Sequence, residues 1–230
     1  GDVLQSLYEE LDAPIIRKDI AVAEMIKYTC NVWHATKVTF ANEIGNIAKA
    51  CGVDGREVME VVCQDKALNL SQYYMRPGFA FGGSCLPKDV RALTYRAASL
   101  DVKAPLLDSL MRSNESQVQN AFELIEAHDK RKVALLGLSF KAGTDDLRES
   151  PAMEIAEMIA EWHKGETLVV EPNIHELPAK LAGHCTLAAL DEALATADVL
   201  VLLVDHQAFK ATSGDAVRQK YVVDTKGVWR

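Results

Sequence analysis

The chain has 230 residues, 49% of them hydrophobic and 25% charged, and carries a formal net charge of −8. That size and balance suit a globular protein of one large or two ordinary domains with a substantial core. The acidic surplus gives no general pull toward nucleic acid or an anionic membrane, so an anionic ligand must be held by locally placed cations and amides. No apolar run is long enough to span a bilayer, and no signal-peptide pattern opens the chain. The five cysteines, Cys30, Cys51, Cys63, Cys85 and Cys185, show neither metal-type spacing nor the density of a disulfide framework. A reducing cytoplasm is the expected location, with no metal site.

Residues 1–12 read as the end of a helix stopped by Pro14, and the absence of an initiating Met suggests a piece of a longer chain. Asp19 is a candidate N-cap, and Ile20, Ala23, Ile26, Tyr28, Val32, Trp33, Phe40, Ile44 and Ile47 recur at helical spacing as far as Ala50, with Gly52 as the stop. A helix this long presents apolar positions such as Trp33, Val38 and Phe40 beyond what one small layer covers. A homodimer built on residues 19–50 is therefore expected. Asp54-Gly55-Arg56-Glu57 spells a capping box that opens a short helix through Val62. A loop rich in Asn, Ser, Tyr and Gly runs to Cys85. Helices follow to about Leu100 and, from Pro105, through Ile125.

The pattern changes near residue 130. Residues 133–137 form a short apolar strand ending in glycine, and Ser150-Pro151 opens an amphipathic helix stopped by Gly165. Residues 167–170 read as a second strand, 187–194 as a helix, 198–204 as a third strand and 221–224 as a fourth. Apolar strands alternating with helices predict a doubly wound parallel sheet. The expected fold is thus α/β: an all-helical dimerisation region over residues 1–130, then a Rossmann-like domain over 131–230.

The densest chemical signal is Gly78-Phe79-Ala80-Phe81-Gly82-Gly83-Ser84-Cys85-Leu86-Pro87-Lys88-Asp89. Paired glycines permit a tight turn or a close approach to a ligand. Pro87 favours the first turn of a helix, which places Cys85 at a helix N-terminus, where partial positive charge favours an anion. Lys88 adds a cation. For a cysteine taken alone, the simpler reading is burial beside a structural turn. Lys27 and Asn31, four apart, share one helical face; in isolation they read as a solvated lysine with a polar neighbour. Residues 137–151 leave the carboxyl end of the first strand, where open parallel sheets bind ligands. Lys141 and Arg148 would there flank a helix N-terminus suited to a diphosphate.

Phe81-Gly82-Gly83-Ser84-Cys85-Leu86-Pro87-Lys88-Asp89 resembles the catalytic cysteine loop of the nucleotide-sugar 6-dehydrogenases, the family of UDP-glucose, GDP-mannose and UDP-N-acetylmannosamine dehydrogenases. Ala23-Glu24-Met25-Ile26-Lys27-Tyr28 through Asn31 is similar to the family's helix carrying a catalytic lysine and asparagine. The resemblance implies oxidation of a sugar C6 hydroxyl to a carboxylate, with two NAD as hydride acceptors. Cys85 would be the nucleophile, Lys27 and Asn31 the stabilisers of oxyanion charge, and Asp89 the partner that orients water. A donor of the oxyanion kind is worth roughly 3 kcal/mol in the barrier. Substrate contacts are implied for Tyr73, Tyr74 and Arg76, for Phe79 and Gly82, and for Phe140 and Lys141; Arg148 would contact NAD. The family brings the arginine of the first group from a partner subunit.

Up to about Pro151 the chain resembles the GDP-mannose members; from about Ala152, as in Glu171-Pro172-Asn173-Ile174-His175 and Thr225-Lys226-Gly227-Val228-Trp229-Arg230, it resembles the UDP-N-acetylmannosamine members. Nucleobase and sugar are left open. No GxGxxG occurs, so the expected NAD-binding domain is absent from this stretch and the chain alone is expected not to reduce NAD. The alternative is a non-catalytic module that dimerises and binds nucleotide-sugar. A more distant rival is a cysteine hydrolase, disfavoured because no histidine lies near Cys85 in sequence.

Overall fold

The computed structural model describes residues 2–8, 11, 14–67, 69, 78–128 and 131–229, with the side chains of residues 4, 27–32, 34, 35, 38 and 39 outside that description. The chain forms two compact units, Gly1–Arg56 and Glu57–Arg230.

In the first unit, α1 (Asp2–Leu7) precedes α2 (Ile20–Ala50), which runs unbroken for 31 residues as the apolar spacing predicts. Asp19 occupies the N-cap position, but its side chain makes no capping hydrogen bond. The other end closes as a Schellman turn. The Val53 amide donates to Ala48 O at 2.8 Å and the Gly52 amide to Lys49 O at 3.1 Å, with Gly52 at φ +73°, so the last carbonyls are satisfied. Ile47, Ala48 and Glu43 are buried. Trp33 and Phe40 are half-buried rather than exposed, and Val38 lies outside the described side chains. The exposed apolar residues gather earlier, at Ile16 (73%), Ile20 (79%) and Met25 (66%).

Helix α3 (Gly55–Val62) is opened by the Asp54 carboxylate, which accepts the Arg56 amide at 2.8 Å. In the second unit α4 (Leu86–Ser99) and α5 (Pro105–Glu126) lead into a five-stranded, all-parallel sheet of order β3-β2-β1-β4-β5. Its strands are β1 (Val133–Leu136), β2 (Thr167–Val170), β3 (Thr186–Leu187), β4 (Val199–Leu202) and β5 (Tyr221–Asp224). Val133 pairs with both Thr167 and Val199, so the three central strands run in step and end level at Leu136, Val170 and Leu202. Every residue of those three strands is buried, as a sheet covered on both faces requires.

The connecting helices are α6 (Pro151–Trp162), α7 (Leu190–Thr196), α8 (Gln207–Lys210) and α9 (Gly214–Val217). The sequence places a helix over 187–194; instead Leu187 belongs to edge strand β3 and the helix starts at Leu190. A two-residue strand is too short to show alternation, and α8 and α9 are too short to show helical periodicity. One apolar core joins α5 and α6 to one face of the sheet through Val118, Phe122, Ile125, Ile155 and Ile159, and takes in Ala80 from the cysteine loop. The other lies under Ala193, Phe209 and Val217 on the opposite face. Among the described residues no helix is long and apolar enough to cross a membrane.

Candidate active site

Strand order reverses between β1 and β4, and in open α/β sheets the crevice beyond the carboxyl ends at such a point is where ligands bind. Here it is spanned by a buried polar network. Glu171, just past β2, accepts the amides of Leu138 (2.8 Å) and Ser139 (3.1 Å) on Oε2 and the Asn173 amide (3.1 Å) on Oε1. His206, beyond β4, places Nε2 at 3.1 Å from Glu171 Oε2 and 3.2 Å from Ser139 Oγ. The Gly143 amide donates to Nδ1 at 3.3 Å, so the ring carries its proton on Nε2 and turns it toward Glu171. Both Ser139 and Glu171 meet the same ring nitrogen, which is not the relay geometry that activates a hydroxyl. The network instead fixes the loop between β1 and α6.

Burial pushes the Glu171 carboxyl up, but the hydrogen bonds from His206 and the Leu138 and Ser139 amides outweigh it and hold it at about 2. A carboxyl depressed by folding stabilises the fold above its ordinary value and loses that contribution as the pH falls. Stability should therefore decline between about pH 4.5 and 2. Urea unfolding followed across this range in the wild type and in Glu171→Gln checks it: the slope should flatten in the variant.

The loop so fixed carries Phe140, Lys141 and Arg148. Lys141 is exposed, with Nζ 5.3 Å from the Phe140 ring centroid. Arg148 is exposed too, and its guanidinium donates through Nε (2.9 Å) and Nη2 (2.7 Å) to Asp146. That side-chain bond and the backbone bond from the Arg148 amide hold the Asp146 carboxyl at about 2, with Lys141 adding to the effect. Arg148 is raised by its hydrogen bond and charge pairing with Asp146. At the end of the loop Ser150 caps α6. Its hydroxyl donates to Leu138 O at 2.6 Å and accepts the Met153 amide at 3.3 Å.

The cysteine loop lies against this one. Gly83 has φ +87°, and a Cβ there would meet the Phe140 ring at 2.6 Å; a Cβ on Gly82 would run into Glu149 O and the Pro151 ring. Only glycines permit that contact. The Gly83 amide donates to Glu149 O at 3.1 Å; the Phe81 amide donates to the side-chain Oδ1 of Asn114 on α5 at 2.9 Å, and Phe81 O accepts Asn114 Nδ2 at 2.8 Å. Cys85 is the N-cap of α4 and is exposed, with Pro87 in the first turn as the sequence predicts. Among the described residues its sulfur faces Ser84 Oγ at 3.9 Å, not an imidazole, which gives the hydrolase reading no base. Asp89 pairs with Lys88 at 3.3 Å, both exposed. Gly83→Ala should cost about 2 kcal/mol, because φ is unfavourable for a side chain and the Phe140 ring must move. Thermal melts check the cost.

The structure thus brings Cys85, Gly82, Phe140 and Arg148 into one neighbourhood. Phe79 is half-buried and joins them through the apolar core. Tyr73, Tyr74 and Arg76 lie outside the described residues, as do the side chains of Lys27 and Asn31 on α2. Cys51 and Cys63 are exposed, while Cys185 is half-buried and burial pushes its thiol up to about 11.

Two sets of residues escaped the sequence reading. The Glu171–His206 pair has partners 35 positions apart, and no local pattern marks it. Lys226 had a signal, a basic residue directly beyond a parallel strand. Its Nζ lies 5.6 Å from the Phe79 ring centroid, its amide is held by Asp224 at 2.9 Å, and burial lowers its ammonium against the opposing pull of Asp205.

The sequence pattern of the central domain of the UDP-glucose/GDP-mannose dehydrogenase family matches residues 21–116, and that of the family's UDP binding domain matches residues 134–230. The chain belongs to this family. It is 68% identical to the GDP-mannose 6-dehydrogenase of Pseudomonas putida across 99% of its length and 54% of that protein's. It is 46% identical to the UDP-N-acetyl-D-mannosamine dehydrogenase of Escherichia coli K12 over 96% of the chain and 54% of that protein. Both alignments run through the front and the rear of the chain. A crystal structure of a ternary complex of GDP-mannose dehydrogenase from Pseudomonas aeruginosa superposes with a TM-score of 0.91 at 59% identity, covering 99% of this chain and 55% of that one. The UDP-glucose dehydrogenase of Pyrobaculum islandicum follows at 0.62 and 33%, covering 99% and 52%. The chain spans about half the length of the relatives it matches.

Proposed function

We propose that the chain is the nucleophile-bearing, nucleotide-sugar-binding part of an enzyme that oxidises the C6 hydroxyl of GDP-mannose to a carboxylate. The observation that carries this reading is the exposed Cys85 at the head of α4, on a loop seated against Phe140 and bonded to Glu149 beside Arg148. GDP-mannose is preferred to UDP-N-acetylmannosamine because the GDP-mannose relative is the more similar over the chain as a whole.

NAD supplies the hydride acceptor in this scheme. The sheet described here does not fit a dinucleotide in the usual manner. The amides at the first strand-to-helix turn, which would cradle a pyrophosphate, are taken by Glu171, and the contact assigned to NAD on this chain is Arg148. With the sugar at the aldehyde level, Cys85 Sγ adds to C6 and its proton passes to the carbonyl oxygen, giving a thiohemiacetal. After oxidation to the thioester, water positioned by Asp89 adds to the same carbon. The C–S bond breaks, returning the thiol and leaving the carboxylate. Lys27 and Asn31 stabilise the oxyanions of both steps. Tyr73, Tyr74, Arg76, Phe79, Gly82, Phe140 and Lys141 hold the nucleotide-sugar.

A homodimer on α2 accords with its exposed apolar residues Ile20, Val22, Met25 and Ile26, and sedimentation at micromolar concentration tests it. The free thiols at Cys51, Cys63, Cys85 and Cys185 suit the cytoplasm. The occupied turn amides also favour the second reading in one respect: this chain by itself binds nucleotide-sugar without turning it over. Calorimetry with GDP-mannose and UDP-N-acetylmannosamine, alongside NADH formation by this chain and by the full-length protein, tests both. The expected result is preferential GDP-mannose binding by the chain, with NADH formed by the full-length protein only.

A further inference from the structure

Glu149 makes three contacts that the scheme above does not use. Its backbone is left-handed, at φ +51°, a conformation that a residue with a side chain keeps only where its surroundings fix it. Its carbonyl accepts the Gly83 amide at 3.1 Å and occupies the space a Gly82 side chain would need. Its carboxylate accepts Arg91 Nη2 at 2.7 Å. Arg91 stands on α4, the helix that Cys85 heads. One residue therefore grips both the turn entering Cys85 and the helix leaving it. On the other side Glu149 is flanked in sequence by Arg148 and by Ser150, whose hydroxyl is bonded to Leu138 O at 2.6 Å, so the grip is referred to the end of β1.

We propose that Glu149 is a positioning residue that sets the Cys85 sulfur in register with the loop carrying Phe140, Lys141 and Arg148. The proposal rests on the reading of Cys85 as the nucleophile. The Glu149–Arg91 pair is half-exposed, at 46% and 50%, and such a pair adds little to global stability. Its effect is geometric, because a reacting group displaced by about 1 Å loses on the order of 10²-fold in rate.

Glu149→Gly is the informative variant: it accommodates the left-handed backbone, keeps the carbonyl and removes the side chain that carries the carboxylate. In the full-length protein, deuterium uptake over residues 81–91 should accelerate about tenfold, with the melting temperature unchanged. Turnover of GDP-mannose should fall about tenfold in kcat with KM within about twofold. Exchanging the charges, Glu149→Arg with Arg91→Glu, should restore uptake and kcat to within about threefold of wild type. Unchanged uptake in Glu149→Gly, or a charge exchange no better than the single variant, overturns the proposal. Failure of the nucleophile reading shows differently: Cys85→Ala would then keep full turnover, while the uptake over residues 81–91 still reports on Glu149.

Discussion

Cys85→Ala in the full-length protein should lower carboxylate formation by at least roughly 10³-fold, since the variant loses the covalent route and not one contact among several. Binding of GDP-mannose should stay within about threefold, because phosphate and base contacts do not involve the sulfur. Two groups of the sheet domain are poor substitutes. Cys185, just before edge strand β3, is half-buried with its thiol pushed up to about 11, and Ser139 is buried in the Glu171–His206 network. Steady-state kinetics paired with calorimetry checks both halves. A variant that loses binding and turnover together would place Cys85 in the binding surface instead.

His206→Ala should be the most damaging single change away from the cysteine loop. It removes the ring that spans the strand-order reversal and leaves Glu171, 4% exposed, one donor short. Breaking a buried charge-assisted contact from one side costs about 3 kcal/mol, which in a domain of this size lowers the melting temperature by about 10 °C. Because the same network holds the Leu138, Ser139 and Gly143 amides, Phe140 and Lys141 should lose their fixed position and nucleotide-sugar binding should weaken too. Calorimetric unfolding with and without GDP-mannose measures both effects. A loss below about 1 kcal/mol would show that water replaces the ring without penalty.

What the sequence revealed followed the range of the forces involved. Long segments were readable because apolar residues recur along them: at helical spacing through the 31 residues of α2, and as nearly continuous runs in β1, β2 and β4. Cys85 at a helix N-terminus was readable because Pro87 and the glycines before it act locally. Elements below the length of a period were not: β3, α8 and α9 are two to four residues each. Nor were long-range pairings. His206 reaches Glu171 across 35 positions, and Arg91 reaches Glu149 across 58; both depend on the order in which parallel strands and helices pack. The Asp19 cap failed for a related reason: residue type proposes a cap, but the side-chain rotamer decides whether it bonds.

Hydride stoichiometry bears most directly on the central claim. With limiting GDP-mannose and excess NAD, the full-length protein should form two NADH for each nucleotide-sugar consumed, and rapid acid quenching should show a sugar acyl mass on the peptide containing Cys85. A single NADH per sugar, with a free aldehyde released and no mass on that peptide, would contradict the role assigned to Cys85.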